Sequence, residues 1–285
     1  MNKNDLEKYK VSKNDYKPTN VNGHTILYSE SNNRDKKHIL FIHGLGASSF
    51  AWRDVPDAFS EKFHTIALDL IGFGASDKPE EADYTIKGLS KFIMDFLKSI
   101  GLENEKITAI IGHSLGGYIT LQVAIENKDL IEKLVLIDSS GLLKRPTPLL
   151  LQYHDAAMEP DPILRYKKVQ RVFEDLYADR SRLLPIVVDT FIGTIGQQGA
   201  KQAFEVALMN STTTQIEPKG FELIGGIPCL IIWGENDKLI PLDSYAFDFL
   251  HNLPNARLEI IQDSGHAPFV EKTALVYERI HAFIT

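Results

Sequence analysis

One cysteine, Cys229, stands in a chain of 285 residues. A lone thiol excludes an intramolecular disulfide and gives no cysteine metal cluster. It sits in the apolar run Pro228-Cys229-Leu230-Ile231-Ile232, which marks it as buried and inert. Long hydrophobic stretches are also missing, since no apolar segment reaches the roughly 18 residues a membrane span needs. Positive charge is in deficit. The 31 Lys and Arg stand against 38 Asp and Glu, for a net charge of −7. Without a basic stripe the chain has no footprint for nucleic acid, and an acidic surface is repelled by anionic lipid. Neither nucleic acid nor a membrane is expected as a partner. Residues 1–20 are polar and lysine-rich with no apolar centre, so they do not read as a signal peptide. The expected location is cytoplasmic, and a secreted lipase is disfavoured on the same ground. Internal repeats and low-complexity tracts are absent from the sequence.

What is present is a rhythm of apolar runs. His38–Ile42, Thr65–Leu70, Ile107–Gly112, Lys133–Asp138, Pro228–Gly234 and Arg257–Ile261 read as strands, and most are too continuously apolar to have a wet face. Asn22-Gly23 marks a hairpin turn before the strand Thr25–Tyr28. Helical periodicity lies between the runs. Thr85 is placed to cap a helix to Ile100, with Leu89, Phe92, Ile93, Phe96 and Leu97 on one face and Gly101 as its stop. Ser48 or Ser49 is placed to cap another helix running to about Ser60. A final helix is expected from about Phe269 to Phe283. Strand–helix alternation of this kind predicts an α/β fold, a mostly parallel sheet with helices on both faces. The alternation stops after Ser139. Residues 141–220 carry Pro146, Pro148, Pro160, Pro162 and Pro185 among helical segments, and no buried strand. They read as an inserted helical cap on a core built from residues 1–140 and 221–285. Residues 1–14 read as a solvated arm.

The chemistry is expected at the carboxyl ends of the strands, where open parallel sheets bind ligands. His43-Gly44-Leu45-Gly46, Asp69, Ser114, Asp138, Asp237 and His266 all stand there. Gly112-His113-Ser114-Leu115-Gly116 has the pattern G-x-S-x-G between a strand and a helix. A turn that tight strains its central residue and holds the serine Oγ out at the top of the sheet. A serine hydroxyl is a weak nucleophile that needs a base, and the base needs an orienting carboxylate. His266, in Asp263-Ser264-Gly265-His266, supplies the base. Asp237, in Trp233-Gly234-Glu235-Asn236-Asp237, supplies the carboxylate, and Asp138 is its rival. His43 and His113 lie in glycine turns and read as structural hydrogen-bonding groups. Asp69 reads as a partner of the glycine-rich loop Gly72–Ser76. His24, His38, His64, His154, His251 and His281 have no partner motif and read as surface or packing residues. Phe50 and Trp52 read as packing beside the His43–Gly46 loop. Leu150, Leu151, Tyr153 and Met158 are open to either role, lining a pocket or packing on the core.

Taken together these ordered motifs resemble the α/β-hydrolase superfamily, over about residues 20–285 apart from the cap. The resemblance implies an eight-stranded sheet with one antiparallel strand near its start. It also implies an oxyanion hole formed by the backbone N–H groups of Leu45 and Leu115, and a serine hydrolase that needs neither cofactor nor metal. Haloalkane dehalogenases and epoxide hydrolases of this superfamily place an aspartate where this chain has Ser114. Serine fits acyl transfer, as in a carboxylesterase acting on a small, mainly apolar acyl substrate. Carbon–carbon bond hydrolases, lactonases and perhydrolases share the triad and stay open, as does a receptor that cleaves its signalling ligand. A monomer or homodimer is expected.

Overall fold

The computed structural model describes residues 16–53 and 56–285. Eight strands form one sheet in the order β1-β2-β4-β3-β5-β6-β7-β8. They are β1 Lys17–Val21, β2 His24–Glu30, β3 His38–Ile42, β4 His64–Leu68, β5 Ile107–His113, β6 Leu134–Ile137, β7 Cys229–Gly234 and β8 Ala256–Ile261. β2 pairs antiparallel with β1 and β4, and every pairing from β4 to β8 is parallel. One strand therefore runs against the rest, as the resemblance implies.

Burial explains the apolar runs. Alternate side chains of β3 enter different cores: Leu40 and Ile42 pack with Phe96, whereas Ile39 and Phe41 pack with Trp52 and Phe59. A strand covered on both faces cannot afford a polar residue on either. The edges differ. β1 alternates between exposed and half-buried positions, and β8 keeps one partly wet face. That is why Lys17-Pro18-Thr19-Asn20 gives no strand signal in the sequence.

The helices are α1 Pro56–Phe59, α2 Ile86–Ser99, α3 Leu115–Glu126, α4 Pro148–Met158, α5 Pro162–Leu176, α6 Pro185–Ile195, α7 Ala200–Thr213, α8 Pro218–Ile224, α9 Leu242–Asn252, α10 Pro268–Glu271 and α11 Thr273–Ile284. Thr85 caps α2 by accepting from the Gly88 N–H, and Gly101 follows at φ +77. Prolines open α4, α5, α6 and α8, at the position where a missing N–H costs nothing.

Two expectations fail. The helix from Ser49 to Ser60 is instead a 3₁₀ turn, Ser49–Trp52, followed by the one-turn α1. Ser48 makes no capping bond, and Ser49 gives both its N–H and its hydroxyl to Asp69. The last helix is broken at Lys272 into α10 and α11. The arm expected over residues 1–14 lies outside the described residues.

Between β6 and β7 the chain holds α4 to α8 and no strand. α4, α5, α6 and α7 pack on one another through Tyr153, Phe173, Phe191 and Phe204, with ring centroids 5.0–5.9 Å apart. α8 packs instead on α3, with Gly220 against Ile125. Among the described residues no helix is long and apolar enough to cross a membrane.

Candidate active site

β5 ends at His113, and α3 begins at Leu115. Ser114 between them has φ 54° and ψ −118°, a strained conformation for a side-chain-bearing residue. Its backbone hydrogen bonds hold it there, among them the following. Its N–H donates to the Ile137 carbonyl at 2.9 Å. Its own carbonyl accepts from the N–H groups of Gly117 and Ser140 at 3.0 and 3.1 Å. The flanking glycines are steric requirements. A Cβ on Gly112 would overlap the Gly116 carbonyl, and one on Gly116 would overlap the Ile42 carbonyl. The G-x-S-x-G pattern is thus the imprint of a helix pressed against two strands.

Asp237 and His266 meet. His266 Nδ1 lies 2.7 Å from Asp237 Oδ2, and both side chains are buried. Asp237 Oδ1 accepts from the N–H groups of Leu239 and Ile240 at 2.8 and 3.0 Å. Three donors therefore surround this carboxylate and fix its plane. Ser114 and His266 line the same cavity. No hydrogen bond joins Ser114 Oγ to the imidazole among the described residues, and in unliganded sites such bonds are commonly long. Leu45 and Leu115 also line this cavity, and neither backbone N–H has an acceptor among the described residues.

Asp138, the rival acid, is fully buried beside them. Its Oδ1 accepts from the Gly234 N–H at 2.9 Å, and its Oδ2 has no partner. Carboxylate oxygens of Asp138 and Asp237 and a ring nitrogen of His266 all lie within 4.8 Å of one another. Burial, then the Asp237 charge, pushes the Asp138 carboxyl well above the usual carboxylate range.

Neighbouring histidines act through hydrogen bonds, as their glycine turns suggest. His43 Nε2 accepts from the Leu70 N–H at 3.0 Å, which leaves Nδ1–H to donate to the Gly44 carbonyl at 2.8 Å. That bond fixes the loop carrying Leu45. His113 Nε2 lies 2.7 Å from the His266 carbonyl, and burial holds its imidazole well below its usual range, so it stays neutral and donates. Asp69 Oδ2 accepts from the Ala75 N–H, tying down the glycine-rich loop.

Sequence reasoning missed two supports. Glu271 is buried and accepts from the Gly265 N–H at 2.7 Å, the Asp179 N–H at 2.9 Å and the Ser264 hydroxyl at 3.3 Å. The His266 N–H donates to the carbonyl of Leu176, the last residue of α5, at 2.7 Å. The segment between β6 and β7 thereby grips the loop that carries His266. No local signal links residues 90 positions apart. The cavity itself encloses about 1130 Å³, its open mouth included. Leu150, Tyr153, Phe173 and Phe191 from the inserted helices line it, opposite Leu45, Ser114 and Phe269. Phe50 lines it as well. Trp52 does not and stacks on Phe269 at 4.5 Å. Leu151 points outward, 53% exposed, and Met158 packs against the core.

The alpha/beta hydrolase fold family model matches residues 37–273. The uncharacterized hydrolase YugF of Bacillus subtilis is 29% identical over 268 residues, covering 93% of this chain and 96% of that protein. Lipase 3 of a Moraxella species is 27% identical over 272 residues, covering 92% of this chain and 83% of the lipase. Among solved structures, a meta-cleavage product hydrolase from Pseudomonas fluorescens superposes with a TM-score of 0.81 at 22% identity, over 94% of this chain and 96% of that one. The chain belongs to the alpha/beta hydrolase fold family. Hydrolase is the class that this membership and these relatives support.

Proposed function

We propose that the protein is a serine hydrolase that cleaves a small, mainly apolar ester through an acyl-enzyme. One observation carries the reading. Ser114, strained at φ 54°, borders an apolar cavity with His266, whose Nδ1 is already committed to Asp237 at 2.7 Å. With its proton on Nδ1, His266 keeps a lone pair on Nε2. That lone pair takes the Ser114 hydroxyl proton as Oγ attacks the ester carbonyl. The carbonyl oxygen becomes an anion, and the N–H groups of Leu45 and Leu115 receive it. The imidazolium, stabilised by Asp237, passes its proton to the departing alcohol. Water then repeats the sequence, with its proton taken by His266, and releases the acid and Ser114.

The cavity lining supports an apolar acyl or alcohol group. Tyr153 reaches the oxyanion loop, its hydroxyl 3.4 Å from the Leu45 carbonyl. Residues 141–220 act in this reading as a cap that roofs the substrate and excludes water. The similarity to Lipase 3 supports ester chemistry. Hydrolysis of p-nitrophenyl esters of increasing acyl length tests the proposal: wild type should turn over repeatedly with a short-chain preference, and Ser114→Ala should not. A single covalent event without turnover would favour a ligand-cleaving receptor.

A second reading, hydrolysis of a carbon–carbon bond in an acidic substrate, draws on a separate feature. Among the described residues Arg53 is the one Lys or Arg lining the cavity. Turnover of a ring-fission dienoate in preference to neutral esters would select that reading.

A further inference from the structure

Two carboxyl groups share the buried floor of this site, and their surroundings are unequal. Asp237 receives the N–H groups of Leu239 and Ile240 and the imidazole of His266. Asp138 receives one N–H, from Gly234, on Oδ1, and its Oδ2 faces no donor. Asp138 is also held at φ 44°, in the left-handed region, and is 0% exposed. Two carboxylates so close in a dry site cannot both ionise, and the proton goes to the one with fewer donors. The orphan Oδ2 is then explained, because a protonated Oδ2 is a donor, and the Asp237 carboxylate stands beside Asp138, with an oxygen of each within 4.8 Å of the other.

We propose that Asp138 is a positioning residue, a carboxylic acid that stays neutral and donates from Oδ2 to Asp237, holding that carboxylate against His266. The inference rests on the triad reading given above. Asp237 then has a fourth hydrogen bond, and its negative charge is shared with a neighbour that carries none. The other titratable groups facing this pair are His266, His113 from the end of β5 and Glu271 from α10. Lys238 turns away toward Asp175.

Asparagine can replace a neutral acid here, since its carbonyl accepts from Gly234 and its amide donates to Asp237. Alanine cannot. We expect Asp138→Asn to keep kcat/KM for p-nitrophenyl acetate within about threefold, and Asp138→Ala to lower it roughly tenfold or more, the loss of one hydrogen bond to a charge. Asp237 loses a donor in Asp138→Ala and attracts the imidazolium more strongly, so the acid limb of the pH–kcat/KM profile should move to higher pH. In Asp138→Asn it should stay where it is. The infrared carbonyl stretch of a protonated carboxylic acid should appear in wild type at neutral pH and vanish in Asp138→Asn. That readout stands even if Asp138→Ala does not fold. Absence of the band, or an Asp138→Asn defect as large as that of Asp138→Ala, would overturn the proposal. Asp237→Asn separates the two levels: if it stays active the triad reading fails, whereas a dead Asp237→Asn beside an unaffected Asp138→Ala refutes only the role of Asp138.

Discussion

Replacing Asp237 by Asn is the sharpest test of how the site is wired. The substitution is isosteric, and its Oδ1 still accepts from the N–H groups of Leu239 and Ile240. What changes is the atom 2.7 Å from His266 Nδ1, which turns from an acceptor into a donor. An imidazole facing an amide N–H must present its Nδ1 lone pair, so its proton moves to Nε2. The base then points a hydrogen at Ser114 instead of a lone pair. In comparable triads this wrong tautomer costs on the order of 10⁴ in kcat. That is about 5.4 kcal/mol of transition-state stabilisation. Stability should change little, because both backbone bonds survive; a melting midpoint within roughly 4 °C of wild type is expected for a chain of this size. The assay is kcat/KM for p-nitrophenyl acetate, with wild type, Asp237→Asn and Asp138→Asn measured side by side. Asp237→Asn activity within about tenfold of wild type would refute the wiring. So would a greater loss in Asp138→Asn than in Asp237→Asn.

Other outcomes follow from neighbouring contacts. Phe191→Ala opens the cavity beside Tyr153, so acyl-length preference for p-nitrophenyl esters should shift toward longer chains while acetate hydrolysis stays largely intact; an unchanged profile removes the inserted helices from specificity. Glu271→Ala leaves the buried Gly265 N–H and the part-buried Asp179 N–H without their acceptor, and a buried orphan costs about 1–3 kcal/mol, so both the melting midpoint and kcat should fall. A drop in stability with full kcat would show that Glu271 only holds the fold. At the other end of the sheet, His38 Nδ1 and His64 Nδ1 lie 2.9 Å apart, and His64 Nε2 is 3.0 Å from Glu30. Burial holds both imidazoles below their usual range, so unfolding takes up protons below about pH 6.5, and the stability they contribute is present above that pH and lost beneath it. Burial opposes ionisation of Glu30, but bonds from Arg34, Lys17 and His64 outweigh it and hold its carboxyl low, which adds a loss of the same sign at more acidic pH. The fall in melting temperature between pH 7 and 5 should therefore be shallower in a His38→Gln/His64→Gln double variant, and an equal slope would contradict this.

Much of the molecule was legible where one residue answers to one constraint. Gly112 and Gly116 could be read because no side chain fits beside the carbonyls they touch. The strands β3, β5, β6 and β7 could be read because both their faces are buried. β1 could not, since Pro18 and Asn20 face solvent and the polar residues between them give no apolar alternation. The 3₁₀ turn at Ser49 was hidden for another reason: its hydroxyl is claimed by Asp69, 20 positions away, and not by its own helix. The same holds for the site. Ser114, Asp237 and His266 follow β5, β7 and β8 in the chain, and that order is what made them candidates. Glu271, the Leu176 carbonyl and the proton on Asp138 depend on which distant groups meet in a dry interior, and periodicity carries no trace of that.

The most direct measurement is mass spectrometry of the protein after reaction with a fluorophosphonate probe. A single adduct on the peptide carrying Ser114 is expected, formed in parallel with loss of esterase activity and absent from Ser114→Ala. Labelling of another residue, or labelling of Ser114→Ala at the wild-type rate, would contradict the assignment of Ser114 as nucleophile.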